Sequence, residues 1–497
     1  MTMHFTSKEH RLAALLAAPL VLSAVDSSCA AQEPARRPNI IFILADDLGY
    51  MDVGFNGGTI ADTPNLDRLA AEGMRFANAY APAPICSASR AAILTGRSPA
   101  RLHFEFVTRH PNSGQSLTSD PLQPPPYSIN LPLAEVTIPE VLGPAGYATA
   151  FMGKWHVSAH YEGRYLHWSP THGPEQQGFD IGVLEFGMHP YSHNQPGAPE
   201  PPPAEHFAPG EFPEDALTTR TIDYIKTTSG AEPFFLYLSH FYVHEPIRNQ
   251  VQWLTDKYTA RLRPDDKPVR AEYAASVEIL DHHIGRLLNA IDEAGIRDNT
   301  LVVFFSDNGG DPRFTRHAPL RGHKWTLYEG GVRVPMAVRW PGVVEPNSTI
   351  DTPVIGTDLL PTFAQAANAP LDPSITLDGV SLLPLFKDDT RTIPVARPML
   401  FHFPYYHSKG RRDEVPQVAG IDDERVPFLG PQSSILEWPW KLVHWYEDNS
   451  VEVFNLERDP SEQENLAETH GAMVDELTTN LQRMLKSADA RLPTRRE

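Results

Sequence analysis

At 497 residues, with 41% hydrophobic and 21% charged side chains, the chain is too long for one small core and too apolar to be disordered. Its 42 basic and 62 acidic residues leave a formal charge of −20, which argues against a nucleic-acid backbone as partner, because such binding needs a basic field. A small anion gripped by a few local cations is still compatible with that balance.

In chain order, residues 12–25 form an apolar run preceded by Lys8 and Arg11 and followed by Ser27, Ser28, Ala30 and Ala31. This is the pattern of a cleaved export signal over residues 1–31, and it implies a periplasmic or secreted protein. The run is short for a bilayer span and no later stretch is long and apolar enough, so no transmembrane segment is expected. Cleavage removes Cys29. A lipid on Cys29 is the alternative, against which the preceding Asp26-Ser27-Ser28 argues. The mature chain then holds Cys86 as its single cysteine, which rules out an internal disulfide.

Ile40-Ile41-Phe42-Ile43-Leu44 is a continuous apolar run that stops at Asp46-Asp47, as expected of a strand buried on both faces. The same grammar recurs at Tyr147 to Met152 before Gly153-Lys154-Trp155-His156, at Phe234 to Leu238 before Ser239, His240 and His244, and at Leu301 to Phe305 before Ser306-Asp307-Asn308. Helical signals fall between them: Asp62-Thr63-Pro64 opens a segment through Gly73, Thr137 with Glu140 forms a capping box, and residues 271–294 carry an apolar stripe at three- and four-residue spacing. This alternation predicts an α/β/α sandwich around a large sheet, with ligands at the carboxyl ends of the strands. A catalytic domain over 32–388 and a C-terminal subdomain over 389–497 are expected. In the latter, short apolar runs such as Trp440 to Tyr446 and Val451 to Leu456 read as a small antiparallel sheet, and 470–487 as a terminal helix. Two tracts rich in Pro, His and Asn, 103–133 and 189–213, lack periodicity and read either as pocket walls or as surface excursions.

The strand ends carry the chemistry. Asp46-Asp47 and Asp307-Asn308 offer hard oxygen ligands of the kind calcium or magnesium takes; a lone acidic pair reads more readily as a solvated strand end, and the second acid-amide step brings the metal reading level with it. Lys154, His156, His244 and Lys324 flank strands or a Gly-rich turn, and Arg90 lies one helical turn after Cys86. Several cations near a divalent ion suit a tetrahedral oxyanion. Ser87 or Ser89 could cap a short helix and put residue 86 near its positive end, but these residues alone do not separate a reactive thiol from an inert one.

The segment Cys86-Ser87-Ala88-Ser89-Arg90 resembles the signature of the type I sulfatases of the alkaline-phosphatase-like superfamily, in which a cysteine followed by proline or alanine and then arginine is oxidised to formylglycine. The resemblance continues in order through Asn39 to Asp47, Gly153 to His156, Pro190-Tyr191-Ser192-His193-Asn194, Asp307-Asn308-Gly309, Arg321 to Gly331 and Phe454-Asn455-Leu456. It implies hydrolysis of a sulfate ester, releasing inorganic sulfate, by a hydrated formylglycine made from Cys86. One calcium ion would be held by Asp46, Asp47, Asp307 and Asn308, with residue 86 at the same centre. It further implies that Asp307 draws off the proton of the attacking hydroxyl and that Arg90 holds the hydrate. Lys154, Lys324, His244 and Ser192 would grip the sulfate, His244 or Lys324 would protonate the leaving alcohol, and His156 would take the proton when sulfate is expelled.

Where the commonest signature has proline this chain has Ala88, which within the family points to a radical iron–sulfur maturase rather than the copper type. The competing reading is a phosphonate monoester or phosphodiester hydrolase of the same superfamily; the Lys154-Trp155-His156 and Tyr328-Glu329-Gly330-Gly331 segments favour the sulfatase. Export and the aromatics Trp168, Tyr191, Tyr405 and Tyr406 suggest a sulfated sugar as substrate, and His402 to His407 resembles segments of polysaccharide sulfatases. The charge of −20 predicts preference for sparsely sulfated oligosaccharides over dense polyanions.

Overall fold

The structure, a computed structural model, describes residues 37–108, 121–164, 166–187, 189, 207–247, 251–264, 266–387, 393–394, 396–406 and 430–496. Residues Arg37–Glu497 make one compact unit. The apolar runs pair into an eight-stranded mixed sheet in the order Ser348–Ile350, Met74–Phe76, Met336–Arg339, Thr300–Ser306, Asn39–Ala45, Phe234–His240, Ala148–Gly153, Ile181–Val183. The central strands run parallel, with Ile41 level with both Leu236 and Val302; Met336–Arg339 is antiparallel to both of its neighbours.

Strand alternation sends successive side chains to opposite layers, which is why these runs had to be apolar throughout. Ile40, Phe42 and Leu44 enter a core with Phe235, Tyr237, Leu360 and Phe363. Ile41 and Ile43 enter the opposite core with Leu236, Leu238 and the stripe Val277, Leu280, Ile284, Leu287 and Ile291 of the helix Val269–Glu293. Two separate cores on the two faces of one sheet make the expected α/β/α sandwich. The Ile138–Leu142 helix starts in the expected capping box, with Thr137 N donating to Glu140 Oε2 at 2.8 Å.

A four-stranded antiparallel sheet follows, Met399–Phe403, Gln432–Glu437, Trp440–Trp445 and Val451–Asn455 in sequential order. One face packs on the terminal helix Gly471–Ser487 through Leu477, Leu481 and Leu485. The other face shares a core with Cys86, Ala88, Leu327 and Tyr328, so the small sheet backs the segment that carries the candidate nucleophile. Among the described residues no helix is long and apolar enough to cross a membrane.

The aromatics expected to face a sugar are placed differently. Tyr405 and Tyr406 are buried, the first with its hydroxyl on Pro126 O at 3.3 Å and the second accepting from Leu122 N at 3.3 Å. His402 is also interior, bonded to Ser433 Oγ and Arg491 O, and Trp168 packs half-buried against Phe151. Tyr405, Tyr406 and His402 therefore fill the fold and offer no face to a ligand, while Trp168 keeps part of its surface exposed. Tyr191 and His407 lie outside the described residues.

Gly153 ends the Ala148–Gly153 strand at φ 105, and a Cβ there would lie 2.1 Å from Ser239 O. Both the left-handed backbone and the close approach demand glycine. Gly153→Ala is expected to cost about 2–3 kcal/mol and to lower activity, because Lys154 follows directly; a denaturant midpoint equal to that of the parent chain would show the approach to be soft.

Candidate active site

Each predicted strand end delivers polar residues to one buried centre, His240 excepted, which lies beside Tyr242 and Asp215. Asp46 and Asp47 leave the Asn39–Ala45 strand, and the next strand of the sheet delivers Asp307 and Asn308, with Asp307 N donating to Ala45 O at 3.1 Å. Asp47 N donates to Asp307 Oδ1 at 3.1 Å, and Asn308 Nδ2 to Asp47 Oδ1 at 2.8 Å. Asp47 and His156 both hold left-handed backbone, φ 61 and 57, a strain for non-glycine residues that tends to collect at functional sites.

Cys86 is the first residue of the helix Cys86–Thr95, after Ile85 in extended conformation. No side chain caps this end, so Ser87 and Ser89 do not have the expected capping role; Ser87 Oγ instead accepts from Thr108 N at 3.1 Å. One turn on, the buried Arg90 links four partners. Its Nε donates to Asp307 Oδ2 at 2.8 Å, Nη2 to Asp46 Oδ1 at 3.2 Å, and Nη1 to Lys154 O at 2.7 Å and Ser239 Oγ at 2.6 Å. Lys154 donates to Asp46 and Lys324 to Asp47. His244 Nε2 lies 3.6 Å from Asp47 Oδ2, while its Nδ1 is 2.6 Å from Glu245 O.

These contacts surround residue 86. The Cys86 sulfur lies within 4.8 Å of ligand atoms of Asp46 and Asp307, and likewise of Asp47 and His244. Three carboxylates thus face Arg90, Lys154 and Lys324, a balance near zero in an interior that resists charge. Burial opposes ionisation of Asp46, yet Lys154, His244 and Arg90 hold its carboxyl well below the usual range. Burial and the neighbouring Asp46 push Asp307 well above it, and burial raises Asp47. Burial pushes the Cys86 thiol up to about 11, so the unmodified side chain is neutral and a poor nucleophile.

Two carboxylates that cannot both ionise comfortably are a reason to look for a cation. A second is Asn308 Oδ1, which is buried and has no hydrogen-bond donor. The all-oxygen set of Asp46, Asp47, Asp307 and Asn308 fits a hard divalent ion, and adding one gives the centre the net positive charge that a sulfate ester needs.

Of the sequence-predicted residues, the structure brings together Asp46, Asp47, Cys86, Arg90, Lys154, His244, Asp307, Asn308 and Lys324. His156 is buried beside them, its imidazole kept neutral by burial and by Lys154, with its ring 5.8 Å from that of His160. Ser192 lies outside the described residues. Two supporting residues were not singled out from sequence. Ser239 fixes both Arg90 and Lys154 O, and its position directly at a strand end was a usable signal. His189 holds His244 O at 2.9 Å; it opens the 189–213 tract read as a candidate pocket wall, but nothing singled out its own side chain.

The family profile described as sulfatase matches residues 38–369, and that of the N-sulphoglucosamine sulphohydrolase C-terminal region matches 322–491. A sulfatase of Formosa agariphila is 32% identical, over 91% of this chain and 88% of its own. Human arylsulfatase A is 35% identical, over 76% and 72% respectively. The solved structure of Ps i-CgsB in complex with k-i-k-neocarrahexaose superposes with a TM-score of 0.71 at 27% identity, covering 90% of this chain and 93% of that one. With its cysteine set among carboxylates at the strand ends of this fold, the chain belongs to the type I, formylglycine-dependent sulfatases of the alkaline-phosphatase-like superfamily, and Cys86 is its formylglycine precursor.

Proposed function

We propose that the enzyme hydrolyses a sulfate ester of a carbohydrate, using one calcium ion held by Asp46, Asp47, Asp307 and Asn308. The observation that carries the reading is the position of the Cys86 sulfur among Asp46, Asp47, Asp307 and His244. The carbohydrate is supported by the match to a sulphoglucosamine sulphohydrolase profile and by the likeness to a structure bound to k-i-k-neocarrahexaose. Converted residue 86 supplies a hydrated aldehyde, whose two hydroxyls on one carbon serve as nucleophile and as the group that later expels sulfate. Calcium, when bound, supplies charge that a sulfate oxygen can meet.

The chain's own residues do the rest. Arg90 locks Asp307 beside residue 86, where the carboxylate accepts a proton. Lys154 and Lys324, seated on Asp46 and Asp47, hold sulfate oxygens, the role that the family resemblance also gives to Ser192. His244 donates Nδ1–H to Glu245 O, a group that can only accept, so its neutral ring carries no proton on Nε2. Burial and Lys154 oppose a second proton on that ring. Lys324 is therefore the donor to the leaving alcohol, and His244 orients it. His156, neutral and buried, takes the last proton.

The leader over 1–31 fits export, and Ala88 fits maturation by a radical iron–sulfur enzyme. Co-expression with such a maturase is expected to lower the intact mass by about 18 Da, the change from CH₂SH to CHO, and to switch on release of inorganic sulfate from a sulfated sugar. Unchanged mass together with full activity would sink the reading. Dialysis against a chelator is expected to remove activity and lower the melting temperature, both restored by calcium; oxygen–metal distances of about 2.3–2.6 Å would identify the ion.

A further inference from the structure

The chain segments that leave the candidate metal centre meet again around a second cavity. The stretch after Asp47 contributes Met51 and residues 57–60, the stretch after Asn308 contributes Arg316 and Ala318, and the start of the Val269–Glu293 helix closes another side. Asp52 joins the two regions. Its carboxylate accepts from Gly49 N at 2.8 Å, from the Tyr273 hydroxyl at 2.6 Å, and from Thr315, the neighbour of Arg316.

The cavity measures about 160 Å³ and is lined by Arg261, Arg263, Arg270 and Arg316 against one carboxylate, Asp266. A water needs only about 10–15 Å³ of such space, so a polyatomic group fits. Asp266 does not neutralise the four. Arg270 and Arg316 converge on the same Asp266 oxygen, at 2.6 and 2.9 Å, Arg316 makes a further interaction as well, and Arg261 is taken by Asp62 in a two-point pair at 2.7 and 3.0 Å, so the cation left to a ligand is Arg263. Arg263 is exposed, and among the described residues no carboxylate pairs with its guanidinium; Asp265 lies outside them. Arg270 and Ala274 place the first turns of a 25-residue helix on the wall, so the positive end of its dipole adds to the same field. Gly57 also lines the cavity, and a Cβ there would meet nothing within 4 Å.

We propose that this cavity binds a tetrahedral oxyanion of the sulfate class. Arginine forks match such an anion in geometry as well as charge. The charge of −20 does not prevent it, because remote acids are screened over about 8 Å at physiological salt while the lining arginines act at contact. The anion class stands on these residues alone. Its origin rests on the sulfatase reading: either inorganic sulfate released by the reaction or a second sulfate on a substrate chain. In either case the local cations modify the expectation, drawn from net charge, of a preference for sparsely sulfated oligosaccharides over dense polyanions.

Binding of radiolabelled inorganic sulfate to the full-length, matured enzyme at low ionic strength tests this. Two sulfates per chain are expected, one of them weakened about tenfold or more by Arg263→Glu and restored by Arg263→Lys. Arg263 is exposed and outside the catalytic centre, so Arg263→Glu keeps the melting temperature and the rate on a singly sulfated sugar. A rise in KM of about fivefold or more for a multiply sulfated oligosaccharide assigns the cavity to substrate. An unchanged KM with loss of the second sulfate assigns it to the released product. A single sulfate per chain, or two that are indifferent to Arg263→Glu, overturns the proposal. The binding count is read without turnover, so an enzyme inactive on every sulfated sugar would sink the functional reading and leave this one standing or falling on its own.

Discussion

Cys86→Ser, left unconverted, is expected to bind a sulfate ester and to lose about 10⁴-fold or more of steady-state turnover. Cys86 is buried at the start of its helix, and serine is of similar size and equally uncharged there, so the fold and the pairs around Arg90 should persist. What disappears is the second hydroxyl on the same carbon. A lone hydroxyl can accept sulfate from the ester, but nothing adjacent then expels it. The signature is therefore release of at most about one equivalent of alcohol per chain followed by a halt, with no matching release of inorganic sulfate. The unconverted cysteine should be slower still, because burial holds its thiol neutral at working pH. The measurement is a time course of both products for the matured parent, Cys86→Ser and the unmatured chain. Steady turnover by Cys86→Ser at the parent's rate would remove formylglycine from the mechanism.

How far this site could be read beforehand depends on the kind of signal. The strands at 39–45, 234–240 and 300–306 were legible because central parallel strands bury both faces and so spell continuous apolar runs. Their polar successors were legible for the same reason, since the run stops where the ligand end begins. The antiparallel insertion of Met336–Arg339 and the short Met74–Phe76 strand were not, as three or four residues carry no period and their pairing is set by tertiary context. Tyr405 and Tyr406 show the limit of composition: a ring suited to stacking on a sugar is equally suited to a core, and the strand Met399–Phe403 just before them turns both inward. His189 reaches the site through the carbonyl of His244, a backbone contact that no residue pattern announces.

The second large effect is expected at Asp46, which holds two buried cations at once. Its Oδ1 meets Arg90 Nη2 at 3.2 Å and its other oxygen takes the Lys154 ammonium, with all three side chains essentially without solvent. Asp46→Ala leaves both cations short of a counter-charge in a medium that cannot hydrate them, at a cost of about 3–5 kcal/mol, a large part of the ~5–15 kcal/mol by which folded domains are usually stable. Asp46→Asn separates stability from metal binding. The amide keeps the volume and a hydrogen-bond acceptor for Arg90, so the fold should survive with a smaller loss, but the centre then has one negative charge fewer for calcium. Heating each variant with and without calcium distinguishes the two roles. The parent's melting temperature should rise on adding calcium, in line with an ion that binds only the folded chain, and the rise should be largely absent in Asp46→Asn. Equal calcium-induced stabilisation of the parent and Asp46→Asn would mean that the ion, if bound, sits elsewhere, and that Asp46 serves only to balance Arg90 and Lys154.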